Sequence, residues 1–458
     1  RWGLGVMVIK EQLDEEVVDS LPIMYVVHCI DTEGPMTEDL DDTFHRLKQI
    51  FGLNLEPTIP NLRKLQNKEI DLKGLEDEVA RVVSKKLLKY NESWAEIREM
   101  LDDCMSSEYR NQMKDDFDNG WVYSWHCMDH AGYLDNPRRK DLGFGNVYRF
   151  YKKIIDQNKS VKDELNWHYH PLSFDRNPLK CATNYVNSFD ILNEILCRRI
   201  INEKWFPTVN RPGFHTERAD IHLFLEQWIP FDYANNSYDL EDGQPDLKTE
   251  RFGDWRRASK KWTGYHPHHD DYQIKGSCRR VIFRCLNVGT RFKNIKEKHV
   301  IEALNDAKQN GVSILSFANH DWRDLRPDVE YIREILASAK KNFPDVKIKF
   351  AGANQAAKKL TTYGELKVQE TLELNCYMDG LKFIVEVLSG KIFGPQPYLA
   401  IKTVSGNYLH DNFDVIDPGK IFSYTLDFNT ISRSAVSVIA AASADKFGNF
   451  CVVSNNNW

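Results

Sequence analysis

The chain has 458 residues, 42% of them apolar and 28% charged, which is typical of a soluble globular protein with one large core and a second unit. Its formal charge of -6 is small for this length, so composition gives no electrostatic reason to expect binding to nucleic acid or to an anionic membrane. No apolar run approaches the roughly 20 residues that cross a bilayer, and we expect no transmembrane segment.

The amino-terminal segment and the cysteines favour a cytoplasmic protein. Residues 1–22 begin RWGLGVMVIK and lack the basic region, the apolar region and the small-residue cleavage site of a signal peptide. The 9 cysteines are an odd number and form no CxxC pair, which fits reduced thiols better than a disulfide framework. No pattern indicates an oligomeric state.

Short apolar runs of strand length alternate with helical patterns from residue 23 to about residue 352. The predicted strands are residues 23–30, 121–126, 164–170, 204–209, 281–288, 312–317 and 346–351. The predicted helices are residues 145–157, 184–203, 217–228, 296–310 and 328–343, each with apolar residues at i, i+3, i+4 and i+7. This alternation predicts an α/β fold in which seven or eight parallel βα units form a closed or nearly closed barrel, with the active site at the carboxyl ends of the strands.

Three regions depart from the alternation. Residues 44–118 are predicted to form a helical insertion after the first strand, and residues 234–278 a long loop rich in Asp, Gly, Trp and His. From residue 364 to residue 458, apolar and polar residues alternate between DG, SG and PG turns, which predicts a small all-β domain resembling a sandwich. The barrel is therefore expected to occupy residues 23–360.

Side chains that bind metals stand at the ends of two predicted strands. The first strand ends in HCIDTEGP and the third in WHYHP. Because residues i and i+2 of a strand point to the same side, Asp31 and Glu33 share one face, and so do His168 and His170. Two histidines with a carboxylate are typical of a catalytic metal centre, although an HxH pair is also common in ordinary packing.

Other polar side chains are predicted near the same strand ends. Arg211, in VNRPGFHTE, can hold a carboxylate in two hydrogen bonds, and His320, in SFANHD, can donate a proton near neutral pH. The candidates for substrate contacts are Asp321, His126, His130, Trp255, Trp262 and Tyr265.

Several of these candidates have more than one interpretation. With Asp129, the histidines of HCMDH could instead form an alternative metal set. The aromatic side chains of the long loop could stack on a sugar or pack inside a buried lid. The HPHHDD run at residues 266–271 is either a solvated polar loop or part of a lid over the substrate.

The ordered motifs IDTEGP, HYHP, RPGF and LSFANH resemble those of the polysaccharide deacetylase superfamily, also called the NodB-homology or carbohydrate esterase family 4 type. The variant branch linked to O-antigen clusters, sometimes called WbmS-like, is the most similar. The resemblance implies a distorted (β/α) barrel and a metal-dependent amidohydrolase. This enzyme would remove an N-acetyl or N-formyl group from a sugar during the biosynthesis of bacterial surface polysaccharide, such as the O-antigen of lipopolysaccharide.

The resemblance also implies a role for each motif residue. Asp31 would be the general base, Arg211 would orient it, and His320 would be the general acid. The metal ligands would be Glu33, His168 and His170, where Glu33 replaces the usual Asp and the histidines are spaced i, i+2 instead of the family's i, i+4. The implied cofactor is a divalent metal, expected to be zinc, with iron, cobalt, nickel and manganese as alternatives. The implied substrate is an N-acylated sugar, as a nucleotide sugar or a lipid-linked glycan.

Two other functions use the same residues. One is a catalytically inactive carbohydrate-binding protein, with the carboxyl-terminal β domain as its recognition module. The other is a non-haem iron enzyme with two histidines and one carboxylate, whose usual antiparallel jelly roll disagrees with the βα alternation.

Overall fold

A computed structural model of the chain describes residues 21–129, 142–171, 176, 185–239, 253–365 and 370–456. The strands are β1 (Ile23–Thr32), β2 (Tyr123–Cys127), β3 (Glu164–Tyr169), β4 (Val209–Pro212), β5 (Phe231–Asn235), β6 (Pro267–His268), β7 (Asp271–Lys275), β8 (Val281–Asn287), β9 (Val312–His320), β10 (Lys347–Phe350), β11 (Glu373–Asp379), β12 (Lys382–Ser389), β13 (Tyr398–Thr403), β14 (Tyr408–Asp411), β15 (Asp414–Asp417), β16 (Ile421–Thr425), β17 (Val436–Ala444) and β18 (Phe450–Asn455). The helices are α1 (Leu40–Phe51), α2 (Ile59–Gln66), α3 (Glu76–Val82), α4 (Lys85–Leu88), α5 (Trp94–Cys104), α6 (Ser107–Arg110), α7 (Asn146–Asn158), α8 (Phe189–Glu203), α9 (Ala219–Trp228), α10 (Glu297–Asn310), α11 (Arg326–Lys340) and α12 (Ala353–Thr361).

Seven parallel strands close into a barrel, as the βα alternation predicted. Their order is β1-β2-β3-β4-β5-β8-β9, and β9 pairs back to β1. The remaining strand of this sheet, β10, lies beside the first residues of β1, while β2 pairs with the last residues of β1 on the same side. Because all seven strands run in the same direction, their carboxyl ends surround one opening, which we call the barrel mouth.

The interior of the barrel is apolar at the amino ends of the strands. Its buried side chains include Tyr25, Val27, Phe231, Tyr233, Val281, Phe283, Val312 and Ile314. The start of α12 closes this end with Ala353, Ala356 and Ala357, and Glu164 on β3 accepts hydrogen bonds from the backbone N–H groups of Asn354 and Gln355. The amino end of the barrel is therefore filled by apolar side chains, and polar side chains are expected at the mouth.

The helical insertion predicted after the first strand is present. It comprises α1 to α6, begins at Leu40 and has a small core of its own. It lies against the loop that follows β9: the backbone N–H of Asn91 donates to the carbonyl of Trp322 at 2.7 Å, and Tyr109 Oη donates to the carbonyl of Arg326 at 3.3 Å. The insertion therefore borders the barrel mouth.

One predicted strand is wrong in position. Residues 204–207 are not in a strand, and β4 begins only at Val209. Helix α8 runs through Glu203 and ends at Lys204 in a left-handed conformation, and Pro207 has no N–H to donate to a neighbouring strand. The long loop is also more regular than predicted, because β6 and β7 form a hairpin within it.

The last part of the chain is all-β, as the turn pattern predicted. Two four-stranded antiparallel sheets, β11-β12-β16-β15 and β14-β13-β17-β18, enclose a core that includes Phe383, Leu399 and Phe422. This unit packs on α8, where Tyr398 Oη donates to Asn193 at 2.8 Å. Among the described residues, no helix has both the length and the apolar character needed to cross a membrane.

Candidate metal centre

Three side chains predicted as metal ligands meet at the barrel mouth. Nε2 of His170 lies 3.0 Å from Oε1 of Glu33, and Nε2 of His168 lies 3.3 Å from the same oxygen. All three side chains are between 1% and 3% exposed, and their ligand atoms lie within 4.8 Å of one another. We call this group the metal cluster. It joins the end of β1 to the end of β3.

The geometry of the metal cluster fits a divalent ion. Ligand atoms about 2.0–2.2 Å from a common ion lie roughly 3.0–3.5 Å apart, which matches the two separations to Glu33. Nδ1 of His168 donates to the carbonyl of Arg211 at 2.6 Å, which leaves the lone pair on Nε2 for an ion. Burial lowers the pKa of His168 to about 3, so the ring is neutral, as a metal ligand must be. Nitrogen and oxygen donors of this kind suit zinc and also iron, cobalt, nickel and manganese.

The i, i+2 spacing of the histidines works because both belong to one edge of the barrel. His168 is in β3, and His170 follows its last residue on the same side. Asn166, which stands where the resembled family has its first histidine, lies one step deeper, in register with His126. The structure therefore brings His168, and not the side chain at 166, next to Glu33.

A fixed carboxylate stands beside the metal cluster. Nε of Arg211 donates to Oδ1 of Asp31 at 2.7 Å, and Nη1 donates to the carbonyl of Tyr233 at 3.0 Å. Burial alone would raise the pKa of Asp31, but the Arg211 guanidinium, together with the neighbouring His168, His320 and His126, outweighs it and holds that pKa below its ordinary value. Asp31 is thus ionised at neutral pH and held by a hydrogen bond from Arg211.

His320 lies between the buried cluster and the solvent. Its side chain is 22% exposed, and its Nε2 is 3.8 Å from Oδ2 of Asp31 and 3.9 Å from Oε1 of Glu33. The ring stacks on Trp322 with a centroid distance of 4.0 Å. Burial lowers the pKa of His320 well below its ordinary value, so the resting imidazole is neutral. The side chain of His320 is more exposed than those of Asp31 and the three residues of the metal cluster.

A strained turn at Phe214 and His215 packs against the His170 ring. Phe214 and His215 both have left-handed φ angles, of 55° and 51°, which is unusual for residues other than glycine and costs about 1–3 kcal/mol each. Nε1 of Trp255 donates to the carbonyl of His215 at 2.8 Å, and the N–H of Gly253 donates to the carbonyl of Phe214 at 3.1 Å. The Phe214 ring meets the His170 ring edge to face at 5.0 Å. The strain of this turn was not predicted, although RPGF marks its position.

Gly213 allows the backbone to approach the His170 ring, and a methyl group there should disturb the metal cluster. A Cβ atom at this position would lie 2.5 Å from Nδ1 of His170. In the variant Gly213→Ala the ring must move, and we expect metal affinity to fall about 10- to 100-fold, the range found when groups that orient ligands are lost. Isothermal titration of the metal-free protein with Zn²⁺ measures this. The control is Ser405→Ala, a substitution in an exposed turn. Its neighbour Gly406 is not used because alanine would be strained at a positive φ. Unchanged zinc affinity in Gly213→Ala would show that His170 is not a ligand.

Asp321 was predicted to contact substrate, and the structure corrects this. Its carboxylate is buried and accepts hydrogen bonds from the backbone N–H groups of Glu33 at 2.9 Å and Gly34 at 3.0 Å. Tyr151 Oη donates to the same carboxylate at 2.9 Å. Since these donors occupy it, Asp321 fixes the backbone that carries Glu33 and is not available to a sugar.

Of the two interpretations of the aromatic residues in the long loop, stacking on a sugar or buried packing, the structure agrees with burial. Trp262 and Tyr265 are buried and lie beside Ile314 and Ile282, near the amino ends of β9 and β8 and therefore at the end opposite the mouth. Trp255 is buried behind the strained turn. Because no ring face is open to the mouth, we withdraw these three residues as substrate contacts. Their burial pattern could not be read from composition.

The residues of the HCMDH and HPHHDD runs lie outside the metal cluster. His126 neighbours Asp31 across the β1–β2 pair and is fully buried. Asp129 pairs with Arg199 at 2.7 Å, which argues against the alternative metal set. His130 lies outside the described residues. In the HPHHDD run, His268, His269 and Asp270 form an exposed group on the β6–β7 hairpin that could also hold an ion.

Comparison with known proteins assigns no family. No family model matches the chain, and no curated protein matches it. The function is therefore inferred from the arrangement of side chains at the barrel mouth.

Proposed function

We propose that the chain is a metal-dependent amidohydrolase that removes an N-acetyl or N-formyl group from a sugar, on a barrel of the polysaccharide deacetylase type. One observation carries the proposal: the buried metal cluster lies beside an ionised Asp31 held by Arg211, with His320 at its outer side. Ligands, a base and a proton carrier are the groups that hydrolysis of an amide requires.

Glu33, His168 and His170 would hold the ion. When bound, a divalent ion of this kind supplies a nucleophilic water at neutral pH and polarises a carbonyl group. Asp31 would accept a proton from the attacking water at Oδ2, since Arg211 engages Oδ1. The lowered pKa of Asp31 keeps its carboxylate ionised over the neutral range.

The leaving amine needs a proton, and His320 is placed to deliver one. Because the resting imidazole is neutral, the proton it delivers has to be one taken up during the reaction. Nε2 of His320 is 3.8 Å from Oδ2 of Asp31, so transfer from Asp31 to His320 would require a small movement of either side chain or one bridging water. The stacked Trp322 ring limits rotation of the imidazole and so holds Nε2 toward the site. The products are acetate or formate and a free amino sugar.

The resemblance of the four ordered motifs extends the proposal to a pathway. It supports a role in bacterial surface polysaccharide or O-antigen synthesis. We propose a cytoplasmic enzyme that acts on an N-acylated nucleotide sugar or lipid-linked glycan. An inactive carbohydrate-binding protein is the second candidate. The near-complete burial of the three ligands favours it, because a purely structural ion needs no access.

A metal-dependent assay for released acid tests the proposed function. The purified protein, loaded with Zn²⁺, is incubated with a panel of N-acetyl and N-formyl nucleotide sugars, and free acetate and formate are measured. We expect release of one acid, its loss after chelation and its recovery when Zn²⁺ is restored. Bound metal without release of either acid from any member would favour the inactive binding protein.

A further inference from the structure

A group of arginines borders the barrel mouth beside His320. Arg46 lies on α1, Arg291 follows β8 and Arg323 follows β9. The three surround Glu38 and Tyr90, and we call these five residues the arginine cluster. They come from the insertion and from two barrel loops, so the fold assembles the cluster only when the insertion packs on the mouth.

The carboxylate of Glu38 is already fully engaged. Arg46 donates to both of its oxygens, Thr43 Oγ1 donates at 3.0 Å and Tyr90 Oη donates at 2.7 Å. Arg291 comes no nearer to Glu38 than 3.8 Å and donates to Tyr90 Oη at 3.2 Å. Glu38 is therefore the one negatively charged residue among the five of the arginine cluster.

Arg323 has neutral partners. It donates to the carbonyl of Leu87 at 3.0 and 3.2 Å and to Tyr90 Oη at 3.4 Å. In the described part of the chain it forms no ion pair. Three guanidinium groups against one carboxylate leave two positive charges in the cluster.

Positive charges held together away from water repel one another strongly. Arg46 and Arg323 are buried and the side chain of Arg291 is 19% exposed. Burial and the neighbouring Arg46 lower the pKa of Arg291 to about 9, which leaves it charged at neutral pH. Such an excess of fixed guanidinium groups is the arrangement that binds a doubly charged oxyanion, because each group can donate two parallel hydrogen bonds.

The Trp322 ring lies between the arginine cluster and His320 of the candidate metal centre. The Trp322 ring stacks on His320 and packs with Tyr90 and Met36. The backbone N–H of Arg323 also donates to the carbonyl of His320, at 3.4 Å. An anion bound by Arg291 and Arg323 would therefore lie at the mouth next to His320.

We propose that Arg291 and Arg323, beside the Arg46–Glu38 ion pair, bind a phosphoryl group of the substrate, so that the sugar reaches the metal cluster as a phosphate- or diphosphate-linked sugar. The identity of the bound molecule as an N-acyl sugar rests on the proposed function, whereas phosphate binding itself does not. Free inorganic phosphate is the other source of the same chemistry, and the experiment separates the two.

The first measurement is direct binding. Inorganic phosphate is titrated calorimetrically into the zinc-loaded full chain, into Arg291→Gln and Arg323→Gln, and into Arg63→Gln, which removes an exposed arginine of α2 as a control. In each cluster variant we expect the affinity for phosphate to fall about tenfold or more, because a charge-assisted hydrogen bond is lost. We expect no change in the control variant. Arg291→Lys should keep part of the affinity. Thermal unfolding without phosphate should show Arg291→Gln at least as stable as wild type, because repulsion is relieved.

Absence of phosphate binding by the wild type, or equal binding by the variants, would overturn the anion site. The second measurement compares kcat/KM for a neutral N-acyl sugar and for its 1-phosphate. We expect Arg291→Gln to lower kcat/KM about tenfold or more for the phosphorylated sugar alone. Equal effects on both sugars would overturn the assignment to substrate and indicate free phosphate. Phosphate binding that depends on the arginines, with no acid released from any sugar, would support the anion site and overturn the hydrolase.

Discussion

Replacing His170 with alanine is expected to remove the bound metal and to lower acid release at least about 10³-fold, because the nucleophilic water depends on the ion. Nε2 of His170 lies 3.0 Å from Glu33 Oε1, and the ring is packed between Gly213 and Phe214. Alanine leaves two ligands, Glu33 and His168, which is fewer than the three protein ligands of a catalytic zinc site. Metal content of the dialysed protein and release of acetate or formate are measured together.

The exposed hairpin provides the matched control for this variant. His269 belongs to the second group that could hold an ion, and its side chain is 67% exposed. His269→Ala removes one imidazole from that group and should keep both the tightly bound metal and the activity. If His269→Ala lost the metal and His170→Ala kept it, the ion would belong to the hairpin, and the metal cluster at the mouth would be rejected.

The metal cluster could be predicted from the sequence because its signal is local. In DTE and HYH the alternation of side chains along a strand places each pair on one face. The βα alternation then requires the strand ends to meet at one mouth. Closure of the barrel provides the remaining step, since the pairing of β3 with β4 brings the Arg211 carbonyl to Nδ1 of His168.

The errors concern features that depend on distant parts of the chain. Asp321 follows His320 directly, yet its carboxylate turns to the backbone of Glu33, 288 positions away in sequence. Trp262 and Tyr265 look like a sugar platform in sequence, but the direction of the loop takes them to the other end of the barrel. In each case the position of the side chain depends on contacts with residues distant in sequence, and no local sequence pattern indicates those contacts.

The arginine cluster shows the same limit for a group that was missed entirely. Arg46, Arg291 and Arg323 lie in three separate segments, and none of them belongs to a recognisable motif. The small net charge of the chain also gave no sign of a concentrated positive group. Local excess charge depends on which carboxylates fold nearby, and here Glu38 is the one that does.

Replacing Asp31 with asparagine is expected to lower acid release about 10²- to 10⁴-fold, the usual contribution of a general base, while the metal stays bound. Asparagine has nearly the same shape, and its amide oxygen can still accept the hydrogen bond from Arg211 Nε. It cannot take a proton from water. Removal of the carboxylate also leaves the buried Arg211 without its counter-charge, which destabilises a protein by roughly 3–5 kcal/mol. Activity must therefore be measured well below the unfolding temperature of the variant.

Metal content distinguishes a base from a ligand at this position. Asp31 Oδ1 lies 3.5 Å from Nδ1 of His168, on the side of the ring away from Glu33, so its loss should leave the three ligand atoms in place. Arg211→Gln is the control for destabilisation: it breaks the same buried pair, leaves an uncompensated charge and keeps the carboxylate. We expect Arg211→Gln to retain more activity than Asp31→Asn at equal metal content. If Asp31→Asn lost the metal as His170→Ala does, Asp31 would be a fourth ligand, and the base would have to be sought elsewhere at the mouth.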